Sequence, residues 1–245
     1  MGVYGNYIDE PEGLSVEELR TWRRDRCALG YRVLAAHRWG ELGDGHVTAR
    51  DPERTDHFWL LRYDVPFPEA SGDDMVLVAP DGRPVEGGDI PINHAAYFIH
   101  SPVFAARPDV VSAVHTHTPY GTPWSAFVQP LRMVSQESTC FIDRQQVWDN
   151  EMVDVLDMES GKDLANTLAD GRLLILRNHG ALTVGGSVDE AVGWFILAER
   201  SAEANVKSYV GGHPISDDAA RVAADNSMAN IEYALQVFAW TERRL

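Results

Sequence analysis

The residues best suited to chemistry in this chain are three histidines that follow two apolar segments. His115 and His117 come at the end of the apolar run 110–114, which predicts a buried strand, and residues two apart on a strand share a face. His179 follows a second apolar run, residues 173–176. Strand-end histidines are often ordinary hydrogen-bonded residues. Three together predict an open divalent metal site, in which neutral imidazoles hold the ion and one position stays free for substrate.

The segments around these histidines resemble a known family. Residues 105–109 (Ala-Ala-Arg-Pro-Asp) lead to the His-Thr-His-Thr of 115–118, and residues 176–180 (Leu-Arg-Asn-His-Gly) precede the Thr-Val-Gly of 183–185. Together they resemble the class II aldolase/adducin family. The adducin-type branch also carries the pattern formed by Asn93, Ala95, Phe98 and His100. The resemblance covers roughly residues 15–215 and implies that His115, His117 and His179 hold the metal.

The same resemblance implies a three-layer α/β/α fold with a central, largely antiparallel sheet. It also implies zinc as the first expectation for the metal, although imidazole accepts manganese, iron or cobalt as well. Members of the family form homotetramers whose active sites lie near subunit contacts, so we expect a homo-oligomer, with the tetramer as its form. Fold class alone decides none of the chemistry.

Length and charge indicate one soluble enzyme domain. The 245 residues are enough for one α/β domain, predicted over residues 15–245 after an N-terminal extension, residues 1–14. The net charge of −16 argues against nucleic acid or an anionic membrane as a partner, because both attract clustered Lys and Arg. Two widely spaced cysteines indicate no disulfide framework. No signal-peptide pattern or long apolar run is present, so we expect a cytoplasmic protein.

Periodicity predicts most of the elements that would position the histidines. Helices are expected from the Ser15 cap to about residue 39, and over residues 92–106, 161–169 and 187–209. A single C-terminal helix is expected over residues 217–241. Strands are expected at 46–50, 58–61 and 75–78, besides the two that carry the histidines. Helical and strand patterns that mix in this way favour a layered α/β domain.

The chain departs from the sugar-phosphate aldolases of the family at two places. Those enzymes have a glutamate nineteen residues before the first metal histidine, and the ungapped position here is Ala96. Their Gly-Asn-Val-Ser phosphate turn corresponds to Gly45-His46-Val47-Thr48. A dianionic phosphate needs several donors, and this set is depleted. The sequence therefore predicts a non-phosphorylated substrate and a three-histidine site that water or substrate completes.

Three residues are candidates for catalytic proton transfer. His100 matches a histidine common to the family, and an imidazole near an ion suits acid–base work at neutral pH, although structural support of the site is an equal alternative. Tyr120 could donate to a developing oxyanion or simply pack. Glu137 could face the site or solvent. Arginines at 50, 107 and 177 are candidates for pairing a substrate carboxylate, with a structural turn as the alternative for Arg107.

Three functions remain open from the sequence. The first is a metal-dependent lyase that makes or breaks a C–C bond beside a carbonyl or carboxyl group of a small substrate, by aldol cleavage or decarboxylation. The second is an iron-dependent oxygenase that performs oxidative decarboxylation on the same fold. The third is a noncatalytic, adducin-like binding scaffold, which would have no need of three metal-binding histidines.

Overall fold

The central feature of the fold is a seven-stranded open sheet. We analysed a computed structural model, which describes residues 9–40, 42–85, 89–151 and 153–245. The strands are β1 (Gly45–Arg50), β2 (Phe58–Leu61), β3 (Met75–Val78), β4 (Ser112–Thr116), β5 (Gln145–Trp148), β6 (Leu173–Leu176) and β7 (Gly180–Gly185). Their order is β3-β2-β1-β4-β7-β6-β5, and every pair is antiparallel except β5 with β6. The predicted largely antiparallel sheet is confirmed.

Seven α-helices accompany the sheet in the described ranges. They are α1 (Val16–Ala36), α2 (His94–Ala106), α3 (Gly121–Ser125), α4 (Met158–Leu168), α5 (Val188–Lys207), α6 (Asp217–Ala223) and α7 (Ile231–Glu242). One apolar cluster contains buried residues of α1, α5 and α7, and a second contains those of α2 and α4. The sheet lies between these clusters, which gives the expected three layers. None of the described helices is long and apolar enough to cross a membrane.

Helix ends follow local capping rules. The Ser15 side chain accepts from the Glu18 backbone N–H, while the Glu18 carboxylate accepts from the Ser15 backbone N–H, as the sequence predicted for α1. Ser187 caps α5 through the Glu190 N–H. Asn93 caps α2, which therefore begins at His94 rather than at the expected residue 92.

The predicted single C-terminal helix over residues 217–241 is wrong, because three separate pieces replace it. After α6, residues Ala224–Met228 form a π-helical turn, and α7 begins only after the cap residue Asn230. The Asn230 side chain accepts from the Glu232 N–H, so it satisfies a helix start in the middle of the expected helix. An amphipathic pattern alone does not reveal such an internal cap.

Two strands were not predicted from the sequence. β5 is short and polar at its first two residues, which hides it from an apolar-run criterion. β7 is fully buried but begins and ends with glycine, which usually indicates turns. The expected extension 1–14 lies partly outside the described residues. Within it, Glu10 forms a bidentate pair with Arg23 of α1 at 2.6 and 2.8 Å.

Candidate metal centre

Three histidines converge at one end of the sheet. His115 lies on β4, His117 lies just beyond its end, and His179 lies in the turn between β6 and β7. One ligand nitrogen from each ring lies within 4.8 Å of the other two, and the ring centroids are 4.7 to 5.4 Å apart. The antiparallel pairing of β4 with β7 is what joins the two chain segments. The structure thus brings together the three residues that the sequence predicted as ligands.

The ring nitrogens of this triad fit a divalent cation. Nδ1 of His115 donates to the Ala181 carbonyl at 2.9 Å, which orients the ring and leaves Nε2 for a ligand. Nδ1 of His179 is buried and has no partner in the described part of the chain. A buried polar atom without a partner is rare in a folded protein and calls for a bound group. Imidazole donors accept several first-row metals, so the donor set does not select one.

The electrostatics of the triad also favour a cation. Burial, followed by the neighbouring imidazoles, lowers the pKa of His115 well below its ordinary value. Burial and then His117 lower the pKa of His179 to about 4. These two rings are therefore neutral at physiological pH, with lone pairs available for a metal ion.

The loop before β1 supports His117. An Asp44 carboxylate oxygen lies 3.5 Å from Nδ1 of His117, an arrangement common behind metal-bound histidines. The Asp44 carbonyl also accepts from the His117 backbone N–H at 3.2 Å. A Cβ on Gly45 would lie 2.4 Å from the Thr116 side chain and 2.8 Å from the His115 carbonyl. This position therefore requires glycine.

A buried carboxylate on α5 fixes the loop that follows His117. Glu199, which is 6% exposed, accepts from the Thr118 hydroxyl at 2.6 Å and from the backbone N–H groups of Tyr120 at 2.9 Å and Gly121 at 2.7 Å. Burial raises the pKa of Glu199 despite these hydrogen bonds. Sequence reasoning missed Glu199, because its partners lie about eighty positions earlier and no local pattern links them.

His100 lies one imidazole away from the triad. Its Nε2 is 2.8 Å from Nδ1 of His46, and its Nδ1 is 2.6 Å from the Thr48 hydroxyl. His46 is the cross-strand partner of His115, and their ring centroids are 5.0 Å apart. Sequence reasoning noted His46 only as a replacement for asparagine. Its strand register with His115 was the signal that could have placed it at the site.

Tyr120 and Glu137 contact other parts of the chain. The Tyr120 ring has Lys207 Nζ 5.2 Å from its centroid, near the end of α5. Glu137 begins a 3-10 turn, Glu137–Phe141. Across the described ranges, no hydrogen bond or ion pair joins either side chain to the three histidines. Their catalytic roles stay predictions.

The three candidate arginines are occupied by partners within the chain. Arg50 donates to four backbone carbonyls at the opposite end of β1. Arg107 pairs with Asp109 and donates to carbonyls of the turn after α4, which is the structural alternative expected for it. Arg177 contacts two acidic side chains, at 2.8 and 3.0 Å. We find no arginine among them that is aimed at the triad.

A cavity of about 400 Å³ opens next to Gly45, and none of the three histidines is among its lining residues. Gly45, next to His46, forms part of its wall, and the aromatic residues Trp39, Tyr63 and Phe67 line it. Arg62 also lines the cavity, but Asp64 holds its guanidinium at 2.6 and 2.7 Å. The cavity therefore offers aromatic surface and an arginine that is already paired.

The fold and the histidine triad define an α/β/α protein with a candidate metal centre, and sequence comparison specifies its family. A model of the class II aldolase and adducin N-terminal domain matches residues 25–206. The chain therefore belongs to the class II aldolase/adducin family, as its motifs predicted.

Three relatives match most of this chain. The meiotically up-regulated gene 14 protein of Schizosaccharomyces pombe is 32% identical, over 88% of this chain and 87% of the relative. A 4-hydroxy-3-prenylphenylpyruvate oxygenase/4-hydroxy-3-prenylbenzoate synthase of Streptomyces roseochromogenus is 31% identical, over 84% and 75%. Decarboxylase NovR of Streptomyces niveus is 31% identical, over 80% and 73%.

A solved structure agrees with the fold over nearly the whole chain. The L-fuculose 1-phosphate aldolase of Glaciozyma antarctica superposes with a TM-score of 0.86 at 28% identity, and the match covers 96% of this chain and 92% of that one. Membership in this family, together with a decarboxylase-named relative, supports a lyase-like enzyme.

Proposed function

We propose that this protein is a metal-dependent lyase that makes or breaks a C–C bond beside a carbonyl or carboxyl group of a small, non-phosphorylated substrate. The observation that carries the proposal is the convergence of His115, His117 and His179, with ligand nitrogens within 4.8 Å. A divalent cation bound there would polarise a substrate carbonyl and stabilise negative charge that develops on its oxygen. Zinc is the metal that we propose first.

The absence of a glutamate ligand favours decarboxylation or a modified aldol reaction over sugar-phosphate cleavage. Ala96 occupies the first turns of α2 and is fully buried in the apolar cluster of that layer. In the described chain, Asp44 is the carboxylate that contacts the triad, and it does so through His117. Asp44 therefore would orient a ligand, and three protein ligands would leave a bound ion at least one position for substrate.

The cavity next to Gly45 would accommodate an apolar or aromatic portion of a substrate. Its aromatic lining offers area for a ring, and its arginine is already paired with Asp64. A phosphate would need several unpaired donors. The two Streptomyces relatives, one named for a prenylated phenylpyruvate and the other as a decarboxylase, agree with this inference.

The second candidate function is an iron-dependent oxygenase. The observation that favours it is the relative whose name includes a phenylpyruvate oxygenase, at 31% identity. Three histidines with free positions would also hold ferrous iron. Consumption of oxygen separates this function from the lyase.

The deciding experiment is elemental analysis of the purified protein beside the His115→Ala variant, prepared in air and anaerobically. We expect about one metal per chain, lost in the variant. Zinc or manganese would direct assays of CO₂ release and aldol cleavage with aryl α-keto and α-hydroxy acids, and iron would direct oxygen uptake. No metal after reconstitution would contradict both enzymes and favour the adducin-like scaffold.

Several finer properties belong to the same proposal. We propose a cytoplasmic homotetramer, which light scattering tests by a mass four times that of the chain. Proton transfer by His100, Tyr120 or Glu137 is tested by substituting each one and separating kcat from KM. A catalytic group should lower kcat much more than it changes KM.

A further inference from the structure

A partly buried arginine without a carboxylate partner lies just before β6, at the end of the sheet opposite the triad. The Arg172 guanidinium donates to the Ala229 carbonyl at 3.2 Å and lies 4.2 Å from the centroid of the Trp194 ring. Within the described ranges, no carboxylate oxygen forms an ion pair with it. Removing a charge from water costs free energy unless an opposite charge compensates it. Arg172 therefore calls for an anion.

Arg172 lines a cavity of about 320 Å³. The cavity wall contains two further arginines, Arg107 and Arg144, and apolar surface from Val184 and Ile231. None of the three triad histidines is among its lining residues, so this cavity is separate from the candidate metal centre. Its volume is within the range of small-molecule sites in proteins.

Two acidic residues of the cavity wall are already engaged by other donors. Asp109 holds the Arg107 guanidinium at 2.8 and 2.7 Å, and Arg107 donates to two backbone carbonyls as well. Glu190 accepts from the Gly186 backbone N–H at 2.7 Å and from Nε1 of Trp194 at 2.9 Å. Neither carboxylate is therefore the missing counter-ion of the arginine before β6.

Arg144 is a second cation with donors to spare. Its Nη1 is 3.3 Å from the exposed Asp170 carboxylate, which is long for a charge-assisted hydrogen bond. The Arg144 carbonyl accepts from the backbone N–H groups of Arg172 and Leu173, so the starts of β5 and β6 hold the two arginines beside each other. Burial lowers the pKa of Arg172, and the positive charge of Arg144 adds to that effect. An anion between the two guanidinium groups would relieve their repulsion.

We propose that this cavity binds a small aliphatic monocarboxylate, whose oxygens accept hydrogen bonds from Arg144 and Arg172. A guanidinium group matches a carboxylate in shape and binds it through two parallel hydrogen bonds. Three carboxylates in the wall, those of Asp109, Asp170 and Glu190, repel a second negative charge and so disfavour a dianion such as phosphate. The apolar part of the wall receives a short hydrocarbon tail.

The test uses 3,3,3-trifluoropropionate as the probe and follows its binding by ¹⁹F NMR. The probe is titrated into the full-length protein as purified and into His115→Ala, in which the triad cannot hold a metal. We expect saturable binding in the millimolar range that both proteins share. The neutral probe 3,3,3-trifluoropropionamide should not bind, because guanidinium groups attract charge.

Substitutions in the His115→Ala background should change the affinity in both directions. Arg172→Gln should weaken binding about tenfold or more, and Arg144→Gln about threefold to tenfold, because each removes a charged donor. Asp170→Asn should tighten binding about twofold, because it removes a repelling charge and releases Arg144. Arg83→Gln is the control with the same charge change, since Arg83 is exposed and follows β3 at the opposite edge of the sheet.

Each remaining outcome would overturn the proposal. Unchanged affinity in Arg144→Gln and Arg172→Gln, or an equal loss in Arg83→Gln, would show that the probe binds elsewhere. Equal binding of the neutral amide would show that the arginines do not hold the carboxylate. Stronger displacement of the probe by inorganic phosphate than by propionate would replace the monocarboxylate with a dianion. If circular dichroism shows that Arg172→Gln does not fold, Arg144→Gln and Asp170→Asn decide alone, since both residues are exposed.

Discussion

The buried polar groups at the two ends of strand β1 differ in their hydrogen-bond partners. At one end Arg50, which is 8% exposed, donates to the carbonyls of Thr55, Phe104, Arg107 and Val110, and stacks on the Phe104 ring. At the other end His46 pairs in register with His115, and Nδ1 of the neighbouring His179 has no partner among the described residues. The buried polar groups at the Arg50 end have hydrogen-bond partners within the protein, whereas those at the His46 end need a bound ligand.

This difference separates structural from functional polar residues. A buried group whose donors all meet acceptors stabilises the fold, and removing it leaves those acceptors unsatisfied. A buried group that keeps a free nitrogen, such as Nδ1 of His179, costs stability until something binds. Substitutions at the two ends should therefore affect different measurements.

The largest effect should come from removing a triad histidine. His179→Ala should weaken cobalt or zinc binding on the order of a thousandfold, because one of three protein ligands is lost. The chain should stay folded, since an unpaired buried nitrogen is removed with the ring. Metal competition titration and circular dichroism measure the two quantities. His57→Ala is the matched control, and retention of tight metal binding in His179→Ala would count against the site.

Arg50→Met should have the opposite effect, a loss of stability without a loss of metal affinity. It leaves four carbonyl groups without their donor and should lower the free energy of unfolding by about 3 kcal/mol. Metal affinity of the folded protein should not change. Urea denaturation and the same titration test this. A metal affinity that falls together with stability would contradict the distinction between the two ends of β1.

Acid should destabilise the metal-free protein through the histidine end. Burial lowers the folded-state pKa of His179 to about 4. As the pH falls, the unfolded chain therefore binds a proton at this histidine before the folded chain does. The contribution of this neutral ring to the free energy of unfolding is fully present above about pH 6.5 and decreases as the pH falls toward 4. A shift of this size is worth at most about 3 kcal/mol. Urea denaturation of His179→Ala across that window should show a weaker pH dependence, and an identical slope would refute this origin.

The smallest effect should come from Glu199→Gln. The amide oxygen of the variant can accept from only some of the three donors in the loop after His117. Metal affinity should therefore fall about tenfold, as it does for other groups that orient ligands. Glu190→Gln is a matched control on the same helix, because Glu190 is also buried and holds Gly186 N and Trp194 Nε1 at 2.7 and 2.9 Å. Equal metal affinity losses in both variants would indicate a general weakening of α5.

Local patterns were enough to find the triad and most elements. An apolar run followed by histidine marks a strand end, and Ser15 with Glu18 marks a helix start, because both signals lie within a few residues. The contacts of His46 and Glu199 involve partners 54 and 81 positions away, respectively. No pattern along the chain encodes those contacts, which exist only after the sheet and α5 have packed.

The same limit explains the errors in the fold. The C-terminal segment was predicted as one helix, yet Asn230 begins a new helix there. β7 has glycine at both ends, and its place between β4 and β6 gives it partners on both sides. In β7 tertiary contacts outweigh the local preference, whereas the break in the C-terminal segment follows from a local cap at Asn230.

The register of β1 against β4 makes the site depend on contacts between distant parts of the chain. His46 and His115 face each other in the sheet but are far apart in the chain, and His179 joins them only through β7. Contacts of such high contact order form slowly, and a one-residue slip would move His46 to the other face. A chain that ends before β7 therefore lacks the strand that joins His179 to His115, so we expect metal uptake during refolding to report completion of the central sheet.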